Sequence, residues 1–330
     1  MSGPDVVVFF SGAAGSSIGA RMAGANVVAG VNHNRDCVDV HDANFPGSLG
    51  ICQDLHLYNH ASLPLHDGLI ASPVCRANSS ASRPGRARAA EAMRTAGRSE
   101  AEAGAKLASA HNAYGALPWA VMDSLEVNRP RWFVVENVEE WADWVFFKDF
   151  VRMAKRLGYN VSVQCLNSLA WGVPQERVRL FMIGTLGPRT IRVRDPKKFK
   201  PVAMHDFLNW DDDGWLDFDE CQWPKMRDQL REAHYQLGGR PGFIQLVGHR
   251  PIFHASSPMP TMTRQDQFRW VYRGRFRYPV AREGFSLMGF PPDYVVPDQI
   301  AQRRTVAWSM AGDAVCPPVM RGIVECILDA

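Results

Sequence analysis

No stretch of this 330-residue chain approaches the roughly 18 consecutive apolar residues that a membrane-spanning helix requires; Asp5-Val-Val-Val-Phe-Phe10 has the length of a buried strand. A membrane protein is not expected. No basic segment leading into an apolar core precedes Asp5, so an export signal is not expected either. Paired cysteines are also missing: the seven at 37, 52, 75, 165, 221, 316 and 326 include no Cys-x-x-Cys and no Cys/His spacing of a zinc site. Free thiols in a reducing compartment, and no metal, are the expectation. Charge of one sign is scarce, since 37 Lys and Arg against 34 Asp and Glu leave only +3, too little to announce a nucleic-acid partner. No repeat of about 20 to 50 residues is visible. With 46% hydrophobic and 22% charged residues the proportions are those of a globular protein, which excludes a collagen, a fibrous coil and a disordered chain.

What is present alternates. β-branched runs at 5–10, 26–32, 67–72, 131–137, 159–167 and 177–185 read as strands, and 18–24, 35–44, 107–127 and 147–158 carry helical spacing between them. That order predicts a doubly wound α/β domain. After Gly187 prolines, an acidic cluster at Asp211-Asp-Asp213 and scattered tryptophans replace the alternation, so an irregular second region is expected to about residue 286. Helical spacing returns at 298–310 and 319–328. Residues 76–106, with seven Lys and Arg against three Glu and almost no large apolar side chain, predict a mobile cationic loop; a solvated helix near 87–105 explains the second half equally well. Two more basic stretches, 189–200 with six Lys and Arg and 264–282 with six Arg, are candidates for phosphate contact or ordinary solvated surface.

Four local signals carry chemistry. Phe10-Ser-Gly-Ala-Ala-Gly15 joins the first strand to a helix through small residues, where a ligand can approach free backbone amides, although such a turn also serves structure alone. Ala71-Ser-Pro-Val-Cys75 puts a cysteine at a buried strand's carboxyl end, beside Arg76, where a thiolate can be stabilised; burial as an inert thiol is the alternative. Glu136 ends another buried strand, where desolvation raises a carboxyl pKa and suits it to donate a proton at neutral pH, unless Asn137 merely caps a helix beside a solvated glutamate. Arg177 and Arg179, two apart on one strand face, either meet Glu136 or face solvent.

In this order the four resemble the DNA cytosine-5 methyltransferase family. Phe10-Ser-Gly-Ala-Ala-Gly15 looks like its first motif, Gln53-Asp-Leu55 its adenine-binding motif, Ser72-Pro-Val-Cys75 its Pro-Cys motif, Glu136-Asn-Val138 its Glu-Asn-Val motif, and Gln175-x-Arg177-x-Arg179 its Gln-x-Arg-x-Arg motif. Pro258-Met-Pro-Thr261, Gly289-Phe-Pro-Pro-Asp-Tyr294 and Gly312-Asp-Ala-Val-Cys-Pro-Pro318 look like the closing motifs. The resemblance implies a Rossmann-like methyltransferase domain over 1–186 plus 287–330, and a small irregular target-recognition domain over 187–286. It implies S-adenosylmethionine as cofactor, held by Phe10, Ser11, Gly12, Ala14, Gly15, Asn32, His33, Asp54, Leu55, Pro73, Asp313 and Ala314. On the substrate side it implies that Cys75 attacks C6 of a flipped-out cytosine in double-stranded DNA, Glu136 serves N3, Arg179 engages O2, Arg177 fixes Glu136 and Asn137 holds the strand end.

Four positions depart from the family pattern. Val74 stands where proline is usual, Asn32 where a ribose-binding glutamate is, Ala14 where glycine often is, and Asp313 where asparagine is. Three of these bear on how the cofactor is held, and a neutral Asn32 is expected to hold ribose hydroxyls less tightly than a carboxylate would. A monomeric cytoplasmic enzyme of a prokaryote or phage, associated with the nucleoid and belonging to restriction-modification, is the expectation. A tRNA cytosine-5 methyltransferase and a catalytically silent DNA-binding homologue remain alternatives.

Overall fold

Side chains that alternate along β1 (Asp5–Phe9) settle on opposite sides of a central sheet: Val6 and Val8 join one core, Val7 and Phe9 the other. Trp132 and Val134 of β5 (Trp132–Asn137) part from Phe133 and Val135 in the same way. Strands covered on both faces need apolar residues at successive positions, which is why these runs are continuous. The computed structural model describes residues 3–73, 117–196, 201–211, 214–246, 252–265 and 268–330.

With β2 (Asn26–Asn32), β3 (Leu49–Cys52), β4 (Gly68–Ala71), β6 (Asn160–Asn167) and β7 (Val178–Thr185), the sheet has seven strands in the order β3-β2-β1-β4-β5-β7-β6. β1 to β5 pair in parallel, whereas β7 is antiparallel to both β5 and β6. Chain order therefore reverses between β1 and β4, the switch point beyond whose carboxyl strand ends doubly wound folds place ligands. Helices α1 (Gly15–Met22), α2 (Arg35–Asn44), α3 (117–128) and α4 (Phe147–Arg156) follow strands of this sheet. The six expected strands are all present. β3 was not anticipated, because its four residues are all exposed or half-buried and carry no long apolar run.

The region after Gly187 is more ordered than its composition suggests, so the irregular domain is corrected to an antiparallel sheet with a helix. β8 (Leu216–Asp217), β9 (Gly242–Gln245), β10 (Ile252–His254), β11 (Phe268–Tyr272) and β12 (Arg275–Arg277) lie in the order β10-β9-β11-β12-β8. Phe243, Phe268 and Trp270 face the main core, while Ile244, Val271 and Phe276 pack under Met226, Leu230, Ala233 and Leu237 of α5 (Pro224–Leu237). Strands of two to five residues that include arginine do not register as strands in a hydrophobicity pattern. Arg277, 1% exposed, pairs with Glu283, which also accepts from Trp270 Nε1 at 2.9 Å. With Arg269 buried as well, the stretch 264–282 is not the run of solvent-facing cations expected of it.

The chain closes through α6 (Ala281–Ser286), α7 (Asp298–Ala301), α8 (Arg304–Asp313) and α9 (Pro317–Leu328). Val319, Met320 and Ile323 of α9 share a core with Ile18 and Ala20 of α1, so the two ends of the chain meet beside β1. Among the described residues no helix is long and apolar enough to cross a membrane.

Candidate active site

A strand that enters antiparallel begins where its parallel neighbours end. β7 pairs Phe181 with Glu136 and Leu180 with Asn137, so the residues leading into it overhang the carboxyl end of β5. That topology brings Arg177, Arg179 and Glu136 together to line one small cleft. Leu166, Ser168, Phe181, Val315, Cys316 and Val319 complete its lining.

Glu136 is 7% exposed and its Oε1 lies 3.5 Å from Arg179 Nε. Burial pushes its carboxyl above the ordinary range, and the attraction of Arg179, then Arg177, only partly offsets the rise. Burial thus favours the protonated form of Glu136 more than water would, while the Arg179 guanidinium beside it favours the charged form. Asn137 is tied differently: its Nδ2 donates to the Pro73 carbonyl at 3.2 Å, and its Oδ1 accepts from the Val138 amide at 2.9 Å. The end of β5 is thus stitched to the residue two before Cys75. Val74, Cys75 and the 76–106 loop lie outside the described residues.

Arg177 departs from expectation. Its Nη1 donates to Met262 O at 3.1 Å and its Nη2 to Gly312 O and Ala314 O, both at 3.0 Å. The proposed Arg177–Glu136 bond gives way to this three-carbonyl clasp, because a guanidinium that is 4% exposed needs several acceptors and main chain supplies them here. Burial, then repulsion by Arg179, lowers its pKa to about 10, so it stays charged at neutral pH. Arg177→Met is expected to lower unfolding free energy in urea by about 3 kcal/mol or more, since each buried carbonyl deprived of a donor costs about 1–3 kcal/mol. A loss below about 1 kcal/mol would show that other donors replace it.

Two residues of this region went unrecognised as site-forming. Gln175, fully buried, accepts from the Met262 amide at 2.9 Å and donates to Leu287 O at 3.3 Å, binding the start of β7 to the closing segments. Cys316 lines the cleft, and burial pushes its thiol to about 11, so it remains a neutral wall. Both lie inside motifs already quoted, but their partners are more than 80 residues away along the chain.

A second group of sequence-predicted residues lies at the carboxyl ends of β1, β2 and β4. Phe10, Gly12 and Ala14 adopt left-handed backbone, with φ of 55°, 51° and 61°. Ser11 donates its amide to Val31 O at 3.1 Å, and Ala14 its amide to Ser11 O at 2.7 Å. Helix α1 begins at Gly15 without a side-chain cap, and the buried Ser11 Oγ has no partner among the described residues. Uncapped amides at a helix N-terminus and an unpaired buried hydroxyl suit a ligand that carries a carboxylate and hydroxyls. Asn32 lies at the next strand end, buried, with its Oδ1 accepting from the Asn34 amide at 3.0 Å. That oxygen closes the turn into α2, so the amide nitrogen is the part of Asn32 left for a ligand. His33 is exposed; Asp54, exposed, accepts from the His56 amide at 3.0 Å; Leu55 and Pro73 are buried. Asp313 lies 3.0 Å from Arg264 Nε, whereas Ala314 gives its carbonyl to Arg177. The structure therefore gathers the 10–15 turn, Asn32 and Pro73 on adjoining strand ends, and gives Asp313 an ion-pair partner. Among the described residues no group of His, Cys, Asp and Glu could hold a metal.

A family model described as C-5 cytosine-specific DNA methylase matches residues 5–329. The Methanothermobacter thermautotrophicus type II methyltransferase M.MthTI is 25% identical over 208 residues, 62% of this chain and 56% of that protein. Here the chain spans little more than half the length of the relative. The Haemophilus parahaemolyticus type II methyltransferase M1.HphI is 25% identical over 344 residues, 97% of this chain and 85% of that one. Among solved structures, Spodoptera frugiperda DNMT2 aligns over 98% of this chain and 99% of its own with a TM-score of 0.67 and 15% identity, a likeness of fold.

Proposed function

The chain belongs to the C-5 cytosine-specific DNA methylase family, and from that premise we propose that it transfers a methyl group from S-adenosylmethionine to C5 of a cytosine in double-stranded DNA. The observation that carries the proposal is Glu136, buried at a strand end with its pKa raised and Arg179 beside it. C5 of cytosine is a weak nucleophile, and addition of the Cys75 thiolate to C6 makes the ring an enamine that can take an electrophilic carbon. Glu136 donates to N3 as negative charge develops, Arg179 faces O2, and Arg177 acts as a positioning residue through the three carbonyls it clasps. Asn137 holds Pro73, and with it the start of the segment that carries Cys75. Loss of the C5 proton and elimination then free the thiolate.

S-adenosylmethionine, when bound, supplies a methyl group activated by its sulfonium. The residues that would hold it are Phe10 to Gly15, Asn32 and Pro73, with Asp54 and Leu55 after β3; the uncapped α1 amides and Ser11 Oγ support that fit. The target has to leave the duplex stack at a cost of a few kcal/mol, and the antiparallel region within 187–286 is the proposed reader of its surroundings. The proposal is completed by a monomer acting in the cytoplasm of a prokaryote or phage-infected cell; the type II methyltransferases of Methanothermobacter thermautotrophicus and Haemophilus parahaemolyticus support the prokaryotic setting.

Expression in a host without its own cytosine-5 methylation is the direct test. Nucleoside mass spectrometry is expected to find 5-methylcytosine in DNA and none added to tRNA. Modification confined to tRNA would install the tRNA alternative, and none in either would leave a silent homologue. The DNA reading is preferred because the matched family model is for DNA methylases.

A further inference from the structure

The turn between β1 and α1 is costly in isolation. Two of its three left-handed residues, Phe10 and Ala14, carry a Cβ that crowds the backbone in that region. Only a surround that overdetermines the backbone keeps it there. Two contacts come from within the fold's first strands: Ser11 N–H to Val31 O and Ala14 N–H to Ser11 O. A third comes from far along the chain, where the Tyr294 hydroxyl donates to Ala13 O at 3.0 Å.

The hydroxyl is itself held firmly. Its ring packs on Phe285 and Phe290 with centroids 4.9 and 4.5 Å away. The next residue, Val295, is gripped from both sides of its peptide by Asn44, whose Nδ2 donates to Val295 O at 2.8 Å and whose Oδ1 accepts from Val295 N at 2.9 Å. Burial raises the phenol's pKa, so it remains a donor throughout the working range. On the other flank Gly15 leaves no room for movement, since a Cβ there would lie 2.1 Å from Val315 O and 3.2 Å from Phe290 Cζ.

We propose that Tyr294 is a positioning residue for the cofactor: through Ala13 it holds the Phe10–Gly15 turn in the left-handed form that presents Ser11 and the first amides of α1 to S-adenosylmethionine. The inference rests on that turn being the cofactor site. Tyr294→Phe keeps the ring and removes the one bond. Calorimetry is expected to show S-adenosylmethionine and S-adenosylhomocysteine bound about 3- to 10-fold more weakly, the span of one net hydrogen bond, with kcat at saturating cofactor nearly unchanged. Adding Ala14→Gly is expected to recover most of the affinity in the Tyr294→Phe background and little in the wild type, because glycine enters the left-handed region freely.

Hydrogen exchange of the cofactor-free protein provides the second readout: the amides of Ala14 and Ile18 are expected to exchange faster in Tyr294→Phe while the β5 amides do not. Affinity equal to wild type, or a loss that Ala14→Gly fails to repair, overturns the proposal. If the wild type binds neither compound yet exchange still accelerates, the cofactor reading of the turn has failed and the positioning role falls with it.

Discussion

Replacing Glu136 by glutamine is expected to slow methyl transfer by about 10²- to 10⁴-fold, the range in which a positioned general acid contributes, while cofactor affinity stays close to wild type. An amide keeps the shape of the acid and can donate a hydrogen bond, but it has no proton to give to N3. The same change is expected to leave the protein as stable at neutral pH, or more so. Burial holds the folded-state pKa of Glu136 above that of the unfolded chain, so the folded form binds the extra proton. Stability from that group is fully present below the unfolded pKa and is lost as pH rises through the folded one; Glu136→Gln removes this dependence. Single-turnover methylation and urea unfolding, each followed across a series of pH values, separate the two consequences. The wild-type rate should fall as pH rises through the folded-state pKa of Glu136, and the residual rate of the variant should not follow that fall. A variant within threefold of wild type would remove Glu136 from the chemistry.

Cys75→Ser is expected to abolish covalent capture of DNA carrying 5-fluorocytosine at the target, and to cut methylation by about 10³-fold or more, on the scale seen when a covalent nucleophile is removed. Fluorine at C5 cannot leave as a proton does, so the adduct of a true nucleophile persists. Serine cannot replace the thiolate, because its hydroxyl ionises far above neutral pH. Peptide mapping of the wild-type adduct should find the base on Cys75 and none on Cys316, whose thiol lines the Glu136 cleft but is pushed by burial to about 11. An adduct on Cys316, or one that survives in Cys75→Ser, would relocate the nucleophile.

Local pattern carried much of the design. Period-two and continuous apolar runs identified six of the seven strands of the main sheet, because burial of one face or both is imposed position by position and leaves its mark in consecutive residues. The strand-end location of Glu136 followed from the same runs. Short elements did not register: β3 shows no buried residue, and the second sheet mixes arginine into strands of two to five residues.

The partners of the charged groups were decided only in three dimensions. Arg177 and Arg179 share a motif, and either could have met Glu136; the fold starts β7 after Arg177, gives the carboxylate to Arg179 and gives Arg177 the carbonyls of Met262, Gly312 and Ala314. Asp313 found Arg264, and Tyr294 found Ala13 across 281 positions of chain. Side-chain periodicity is a property of neighbours, so a sequence displays it directly. A buried cation or hydroxyl takes whichever acceptor the closed fold brings within about 3 Å, and a main-chain carbonyl is the same atom at every residue, with no letter in the sequence to announce it.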